Sequence, residues 1–146
     1  MRIRQISIYL ENKPKQLSAI CRTIADAGVN IATLSLADTS DFGIVRMIVD
    51  DHEKAKQALV DKGYVANVRE VIAVCVPDRP GGMAGVMEVL DDAEVNIEYS
   101  YAMDVAGAIG EAVLIFSFAD NDQAEKALAA AGYVTLSETQ VAQSSK

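Results

Sequence analysis

Hydrophobic residues follow two different periods in the first part of the chain. Ile6, Ile8 and Leu10 alternate with polar or amphipathic residues, which is typical of a β-strand with one buried face. The next hydrophobic residues recur at i, i+3, i+4 and i+7, which predicts an amphipathic helix with one core-facing stripe: Leu17, Ile20, Cys21 and Ile24. Gly28 follows this stripe, at the place where a helix commonly ends. The chain is therefore predicted to open with a strand and a helix.

The same reasoning predicts the remaining elements of the first unit. Residues 31–36 and 44–49 are rich in aliphatic residues and predict two strands. Asp50-Asp51 is expected to cap a second helix, which Gly63 ends. Residues 65–68 then start a fourth strand. The predicted order of elements is βαββαβ.

The second half of the chain repeats the first. Val29-Asn30-Ile31 recurs sixty-six residues later as Val95-Asn96-Ile97, and the same shift places Asn12-Lys13-Pro14 on Asp78-Arg79-Pro80. About three residues are inserted between residues 106 and 111, after which the shift becomes sixty-nine. We therefore predict two like units and a short end: residues 1–70, residues 71–141, and a disordered tail at 142–146.

Each unit is predicted to be α+β, with two helices on one face of a four-stranded antiparallel sheet, which is the ferredoxin-like arrangement. The strand pattern is almost continuous over residues 65–76, so we expect the two sheets to pack side by side. The second unit is predicted to place its elements at 71–76, 82–93, 97–103, 112–118, 123–131 and 134–138.

The turn before the first helix of the second unit carries the candidate binding chemistry. Pro80 suits a first helical turn, and Gly81 and Gly82 have no Cβ, so another molecule can approach the backbone. Free N–H groups at a helix start attract a carboxylate, while Asp78 suits an ammonium group. Two plainer interpretations remain: the segment is only a turn, and Asp78 only caps the helix. Met83 lies in the helical stripe and is expected to be a core residue.

Charge limits the possible partners. The formal net charge is −8, which argues against a nucleic-acid backbone. Residues 1–70 contain 10 Lys/Arg and 9 Asp/Glu, whereas residues 71–146 contain 3 and 12. The acidic second half is either a solvated face or a docking surface.

Several kinds of chemistry lack their usual residues. His52 is the only histidine, no Cys-x-x-Cys pair is present, and no glycine-rich phosphate loop is found. We therefore predict no catalytic residues, no metal site and no cofactor, and we expect the protein not to be an enzyme. No hydrophobic run approaches the length of a membrane span. Cys21 and Cys75 are expected to be free thiols, so we expect a cytoplasmic protein without membrane attachment.

The repeated turn and helix-to-strand segments resemble the ACT domain, a regulatory βαββαβ module of amino-acid metabolism. Val76-Pro77-Asp78-Arg79-Pro80-Gly81 and Ala93-Glu94-Val95-Asn96-Ile97 carry the resemblance in the second unit. Asn12-Lys13-Pro14 and Ala27-Gly28-Val29-Asn30-Ile31 carry it in the first unit. The resemblance covers the chain to about Val141.

The resemblance implies a ligand site where two ACT units meet. In that case Asn12 or Asp78 holds the polar head of a free amino acid. Asn30 or Asn96 pairs with it from the neighbouring unit, although either asparagine has an alternative role in stabilising its turn. The backbone of Gly81, Gly82 and Met83 receives the carboxylate.

Two positions depart from the family pattern. Leu10 and Val76 stand where some serine-binding members have a polar residue, which favours a small or branched apolar amino acid over serine. Lys15 stands where the family usually has glycine, so the first-unit turn is either closed or uses Lys15 to reach an acidic group.

The resulting functional hypothesis is a regulatory or sensor protein that binds a free amino acid and forms a homodimer. The alternative is a subunit without its own ligand, similar to the small regulatory subunit of acetolactate synthase, that docks on a catalytic chain.

Overall fold

The computed structural model of the chain describes residues 1–38, 40–104 and 111–144. Within these ranges there are six strands and five helices: β1 (Ile3–Glu11), α1 (Gln16–Asp26), β2 (Ile31–Asp38), β3 (Phe42–Val49), α2 (His52–Asp61), β4 (Val65–Pro77), α3 (Gly82–Asp92), β5 (Ile97–Met103), β6 (Glu111–Phe118), α4 (Asn121–Ala130) and α5 (Glu138–Ser144). The predicted insertion lies outside the described residues, apart from Glu111.

The chain divides into two compact units. One comprises Arg4–Arg69, and the other comprises Glu70–Ser144 together with Met1–Ile3. This division falls one residue before the boundary that the sequence predicts. The two strands predicted at 65–68 and 71–76 form one continuous strand, β4. Its first part belongs to one unit and its second part to the other.

The unit Arg4–Arg69 has the predicted ferredoxin-like architecture. Its strands lie in the order β2-β3-β1-β4, and β3 pairs antiparallel with both β1 and β2. Both helices contribute to a single core with one face of the sheet. Its fully or nearly buried members are Ile6, Ile8, Leu10, Ile20, Ile24, Val29, Val45, Met47, Ala55, Leu59 and Ala66. Burying each large aliphatic side chain contributes about 1.5–3 kcal/mol relative to exposure.

The second unit repeats this architecture with one weakened strand. Its strands lie in the order β4-β6-β5, all antiparallel. The predicted last strand at 134–138 is reduced to a single bridge between Val74 and Thr135. Two backbone hydrogen bonds flank it: the Cys75 N–H donates to Val134 O at 2.9 Å, and the Leu136 N–H donates to Ala73 O at 2.9 Å.

A capping box ends this short strand and starts α5. The Ser137 N–H donates to Gln140 Oε1 at 2.8 Å, and the Gln140 N–H donates to Ser137 Oγ at 3.3 Å. This reciprocal pair is typical of a helix start. The alternating pattern predicts a strand as far as Glu138, but the chain instead begins α5 at that residue. Residues 142–144, which the sequence predicts to be a disordered tail, form the last turn of this helix. Residues 145 and 146 lie outside the described part of the chain.

The caps of α2 and α4 confirm the internal repeat. The Asp51 carboxylate accepts from the Lys54 N–H at 3.1 Å, and sixty-nine residues later the Asp120 carboxylate accepts from the Gln123 N–H at 3.1 Å. Both helices end at a glycine with positive φ, Gly63 at 88° and Gly132 at 82°. Like side chains therefore perform like local tasks in the two units.

The longest described helices have 11 residues, so none of them is long enough to span a membrane.

Candidate functional site

The turn between β4 and α3 is held by its own backbone. The Arg79 N–H donates to Pro77 O at 3.1 Å, and the Gly82 N–H donates to Arg79 O at 2.9 Å. Gly81 then adopts a left-handed conformation with φ of 87°, and its carbonyl accepts the first helical bond from the Gly85 N–H at 2.9 Å. Glycine is the residue that adopts this conformation without steric cost.

Gly82 is required for a different reason. Its φ is not positive, but a Cβ placed on it would lie 1.9 Å from the carbonyl oxygen of Pro77, well inside van der Waals contact. The strand end therefore passes directly against the first residue of α3, and no side chain fits between them. Consecutive glycines serve two separate needs: Gly81 bends the chain and Gly82 lets two backbone segments touch.

The first turn of α3 presents backbone N–H groups. Within the described ranges, no hydrogen bond to the N–H of Met83 or Ala84 is formed, as expected for the second and third residues of a helix. The helix cap is Gly81, and no side chain caps the helix. The interpretation of Asp78 as an N-cap is therefore wrong, and its carboxylate is exposed near the turn.

Met83 does not belong to the core. Its side chain is 41% exposed, whereas the next members of the helical stripe, Val86 and Leu90, are fully buried. The expectation of a core methionine is wrong because the stripe begins one turn later than the pattern predicts. Asp78, Gly81 and Met83 are thus exposed around the start of α3, whereas Gly82 is buried against the Pro77 backbone and is not open to another molecule.

The corresponding turn of the first unit has the same bend with different residues. Lys15 precedes α1 with φ of 74°, and its carbonyl accepts from the Ala19 N–H at 3.1 Å and from Ser18 Oγ at 3.1 Å. Asn12 donates from Nδ2 to Asp38 Oδ2 at 3.4 Å. Asn12 is therefore already engaged within its own unit. The Lys15 side chain is exposed.

Asn30 and Asn96 stabilise equivalent helix-to-strand turns through their backbone. The Asn30 carbonyl accepts from the Asp50 N–H at 3.1 Å, and the Asn96 carbonyl accepts from the Ala119 N–H at 3.1 Å. In the first unit the Asp50 carboxylate also accepts from the Asn30 N–H at 3.0 Å. Within the part of the chain that the structure describes, the exposed Asn96 side chain forms no hydrogen bond. The turn-stabilising role is thus present in both units.

The structure does not bring Asn96 to the turn of its own unit. Asn96 follows the C-terminal end of α3, while Gly81 and Met83 lie at the opposite end. An 11-residue helix is about 16 Å long, at 1.5 Å per residue. Within the second unit, the predicted site residues therefore lie in two separate groups, one at each end of α3.

Sequence reasoning missed Tyr133 at this turn. A Cβ placed on Gly85 would lie 3.2 Å from the Tyr133 hydroxyl, so this hydroxyl lies over the first turns of α3. The rest of the ring packs against the core of the second unit. The recurrence of Gly-Tyr-Val in both units marked this tyrosine as part of the repeat, but nothing local placed its hydroxyl beside the glycine-rich turn.

A cluster of charges lies elsewhere on the same unit. Arg2 pairs with Glu125 and Asp122 of α4, and its guanidinium lies 3.4 Å from Glu70. The hydrogen bond from Arg2 lowers the pKa of the Glu125 carboxyl, although partial burial opposes this shift. These residues are separated by up to 123 positions in the sequence, so no local pattern predicts the cluster.

The described residues offer no assembled metal site. Within residues 1–38, 40–104 and 111–144, no three His, Cys, Asp or Glu side chains lie close enough to hold a metal ion. Burial raises the pKa of the Cys75 thiol, and the charge of Glu111 raises it further. This thiol is therefore protonated at neutral pH and is a weak nucleophile.

Comparison with known proteins gives one family match. A family model described as an ACT domain pair matches residues 1–143. A comparison with curated proteins gave no match.

Solved structures share the fold. The chain is similar to the protein BT0572 from Bacteroides thetaiotaomicron, with 30% identity, a TM-score of 0.90, and coverage of 98% of this chain and 97% of that chain. It is also similar to the regulatory subunit of aspartate kinase from Thermus thermophilus in its ligand-free form, with 18% identity, a TM-score of 0.66, and coverage of 88% and 89%. The equivalent subunit from Thermus flavus gives 17% identity, a TM-score of 0.64, and coverage of 89% and 92%.

Proposed function

The chain belongs to the ACT domain pair family, and on this premise we propose that it is a non-catalytic regulatory protein that binds a free amino acid at the turn before α3. The observation that carries the proposal is the bare backbone of this turn. Gly81 is exposed with open space where a Cβ would stand, and the N–H groups of Met83 and Ala84 have no partner among the described residues. ACT domains generally serve regulation, and many respond to amino acids.

The chemistry around the turn suits a zwitterion. The N–H groups of Met83 and Ala84, at the positive end of α3, attract a carboxylate. The exposed Asp78 carboxylate attracts an ammonium group. The second unit supplies both attractions, whereas in the first unit Asn12 replaces the carboxylate and is bonded to Asp38. The second-unit turn is therefore the proposed site, and Lys15 makes the first-unit turn the weaker candidate.

The residue that precedes the turn favours an apolar ligand side chain. Val76 is buried in the core of the second unit and has no polar group that could bind a serine hydroxyl. A small or branched apolar amino acid is the proposed ligand class. Its position where two ACT units meet, with Asn30 or Asn96 completing the site, remains a prediction, as does the cytoplasmic location.

A thermal-shift screen with the twenty amino acids tests the proposal. We expect stabilisation by one or a few apolar amino acids, and Asp78→Ala is expected to abolish it because the ammonium partner is lost. Asn12→Ala, the matched change in the first unit, is the control and is expected to leave the shift intact. Equal shifts in wild type and Asp78→Ala contradict the site assignment.

A second candidate function follows from a different observation. Tyr9 and Phe42 expose large aromatic surfaces, which favours a protein contact. The regulatory subunit that docks on a catalytic chain without its own ligand is therefore the alternative. Absence of stabilisation by all twenty amino acids favours this alternative.

A further inference from the structure

The hydroxyl of Tyr133 lies over α3 without a hydrogen-bond partner in the described part of the chain. A Cβ placed on Gly85 would lie 3.2 Å from this hydroxyl. Within residues 1–38, 40–104 and 111–144, the hydroxyl forms no hydrogen bond. The ring packs against the core of the second unit, which holds the side chain in place. The hydroxyl is therefore a fixed polar group that can still donate a hydrogen bond.

The backbone that follows Tyr133 places this residue beside the turn before α3. Thr135 forms an antiparallel bridge with Val74 of β4. Continuing this register by two residues sets Tyr133 opposite Val76. Val76 directly precedes Pro77, the last residue of β4. Tyr133 thus stands next to the end of the strand that leads into the turn.

The geometry of α3 places the hydroxyl near the start of the helix. The Cα–Cβ direction of a helical residue leans towards the N-terminal end, and the hydroxyl lies close to the Cβ position of Gly85. The unbonded N–H groups of Met83 and Ala84 precede Gly85 by about 3 Å and 1.5 Å along the axis. Measured along the axis, the hydroxyl and these N–H groups therefore lie within about one helical turn of each other.

The helix start is open on the side of Gly81. Nothing lies within 4 Å of a Cβ placed on Gly81, and this residue is exposed. The Gly85 N–H donates to Gly81 O at 2.9 Å, so the two glycines are neighbours one turn apart on the same face of the helix. A small molecule at the helix start therefore has room beside Gly81, next to the residue over which the hydroxyl lies.

The first unit has the matched tyrosine but lacks the bare helix face. Tyr64 and Tyr133 follow equivalent helix ends, and each N–H donates to the carbonyl five residues earlier at 3.0 Å. The positions that match the two α3 glycines carry side chains in the first unit, namely Lys15 and Ala19. An open face beside a tyrosine is therefore a feature of the second unit and not of the repeat.

The backbone does not explain why residue 85 is glycine. Its φ is not positive, and the Tyr133 hydroxyl is the described atom group that approaches its Cβ position within 4 Å. Glycine inside a helix is less favourable than alanine. The absence of a Cβ instead allows the hydroxyl to lie close to the helix, so Gly85 and Tyr133 act together.

We infer that the Tyr133 hydroxyl donates a hydrogen bond to the carboxylate of the amino acid bound at the start of α3. This inference rests on the proposed function and adds a side-chain donor to the N–H groups of Met83 and Ala84. A carboxylate accepts several hydrogen bonds, and a hydroxyl bonded to an ionised acceptor forms a stronger bond than one bonded to a neutral acceptor. The site therefore selects a free amino acid over the corresponding amide.

Isothermal titration calorimetry with alanine, valine, leucine and isoleucine tests the role of the hydroxyl. Tyr133→Phe removes only the hydroxyl and is expected to weaken the tightest of these complexes about tenfold. Tyr64→Phe, the matched change in the first unit, is the control and is expected to leave the affinity unchanged. Unchanged affinity in Tyr133→Phe overturns the inference but leaves the proposed function standing. Failure of all four amino acids to bind wild type overturns both.

The amide of the tightest-binding amino acid tests which ligand group receives the hydrogen bond. We expect wild type to prefer the acid, and Tyr133→Phe to reduce the ratio of acid affinity to amide affinity about threefold, because the acid loses the stronger hydrogen bond. Both affinities are measured on the same variant, so a small change in its folding stability leaves their ratio unaffected. Equal weakening of acid and amide binding in Tyr133→Phe overturns the assignment to the carboxylate.

Discussion

Lys15 and Gly81 occupy the same left-handed backbone conformation sixty-six residues apart, with φ and ψ of 74° and −8° for Lys15 and 87° and −9° for Gly81. Each residue is the N-cap of the first helix in its unit. The backbone conformation is the same in both turns, although one turn has lysine and the other glycine. The conformation is therefore a requirement of the fold, and the absence of a side chain is a separate feature of the second turn. A left-handed residue is needed in both turns, whereas a bare backbone is present only in the second.

Because Lys15 has the left-handed conformation that glycine adopts at residue 81, we predict that Lys15→Gly stabilises the protein. A residue with a Cβ pays about 1–2 kcal/mol in the left-handed region, and the greater freedom of glycine in the unfolded chain offsets part of this. We expect the free energy of unfolding to rise by about 0.5–1 kcal/mol in urea denaturation. Ala19→Gly, at an exposed position inside α1, is the control and is expected to destabilise by about 1 kcal/mol. A loss of stability in Lys15→Gly contradicts the assigned conformation.

Gly82→Ala is predicted to be far more harmful than Gly85→Ala. The Cβ at residue 82 would lie 1.9 Å from the Pro77 carbonyl oxygen, so the backbone must move, whereas at residue 85 it would lie 3.2 Å from the Tyr133 hydroxyl, which is the far end of a side chain. We expect a loss of about 3 kcal/mol or more for Gly82→Ala and a change within about 1 kcal/mol for Gly85→Ala. Chemical denaturation of both variants measures the difference. Similar losses would show that the turn is looser than described.

The pairing of Arg2 with Glu125 predicts a pH-dependent contribution to stability. The pKa of Glu125 is lowered in the folded state. A carboxyl group of this kind stabilises the fold above its unfolded pKa of about 4.3, and the contribution disappears as pH falls through the lower folded value. Arg2→Met is therefore expected to be less stable than wild type at pH 7. At a pH below the folded-state pKa of Glu125, the two proteins are expected to have similar stability.

Unfolding free energies of both proteins between neutral and acidic pH measure this effect. High salt at pH 7 is expected to reduce the difference, because these groups are partly exposed and are screened. A difference that is the same at neutral and acidic pH would mean that Arg2 acts through packing alone.

The regular elements followed from local pattern. The predicted strand at 97–103 matches β5 in full, and the two glycines of the turn before α3 were identified because Pro-Gly-Gly at a strand end is a strong local signal. The repeat added a second copy of each signal. Hydrophobic periodicity records which face of an element is buried, so it predicts elements and cores well.

The errors arose where two signals competed or where the partner was distant in sequence. Val134 and Leu136 alternate as in a strand, but the Ser137–Gln140 capping box starts α5. Glu94 adopts φ of 55°, where the matched Gly28 has 76°, although its side chain gives no hint of this conformation. The Tyr133 hydroxyl near Gly85 depends on tertiary packing, which no local sequence pattern encodes.

The most direct test of the account is an amide NMR titration of the protein with the amino acid that gives the largest thermal shift. We predict saturable shifts centred on the N–H groups of Met83 and Ala84, with much smaller changes at Lys15 and Gln16 in the matched turn. Saturable shifts centred elsewhere, or no shift with any of the twenty amino acids, would contradict the proposed receptor role of the turn before α3.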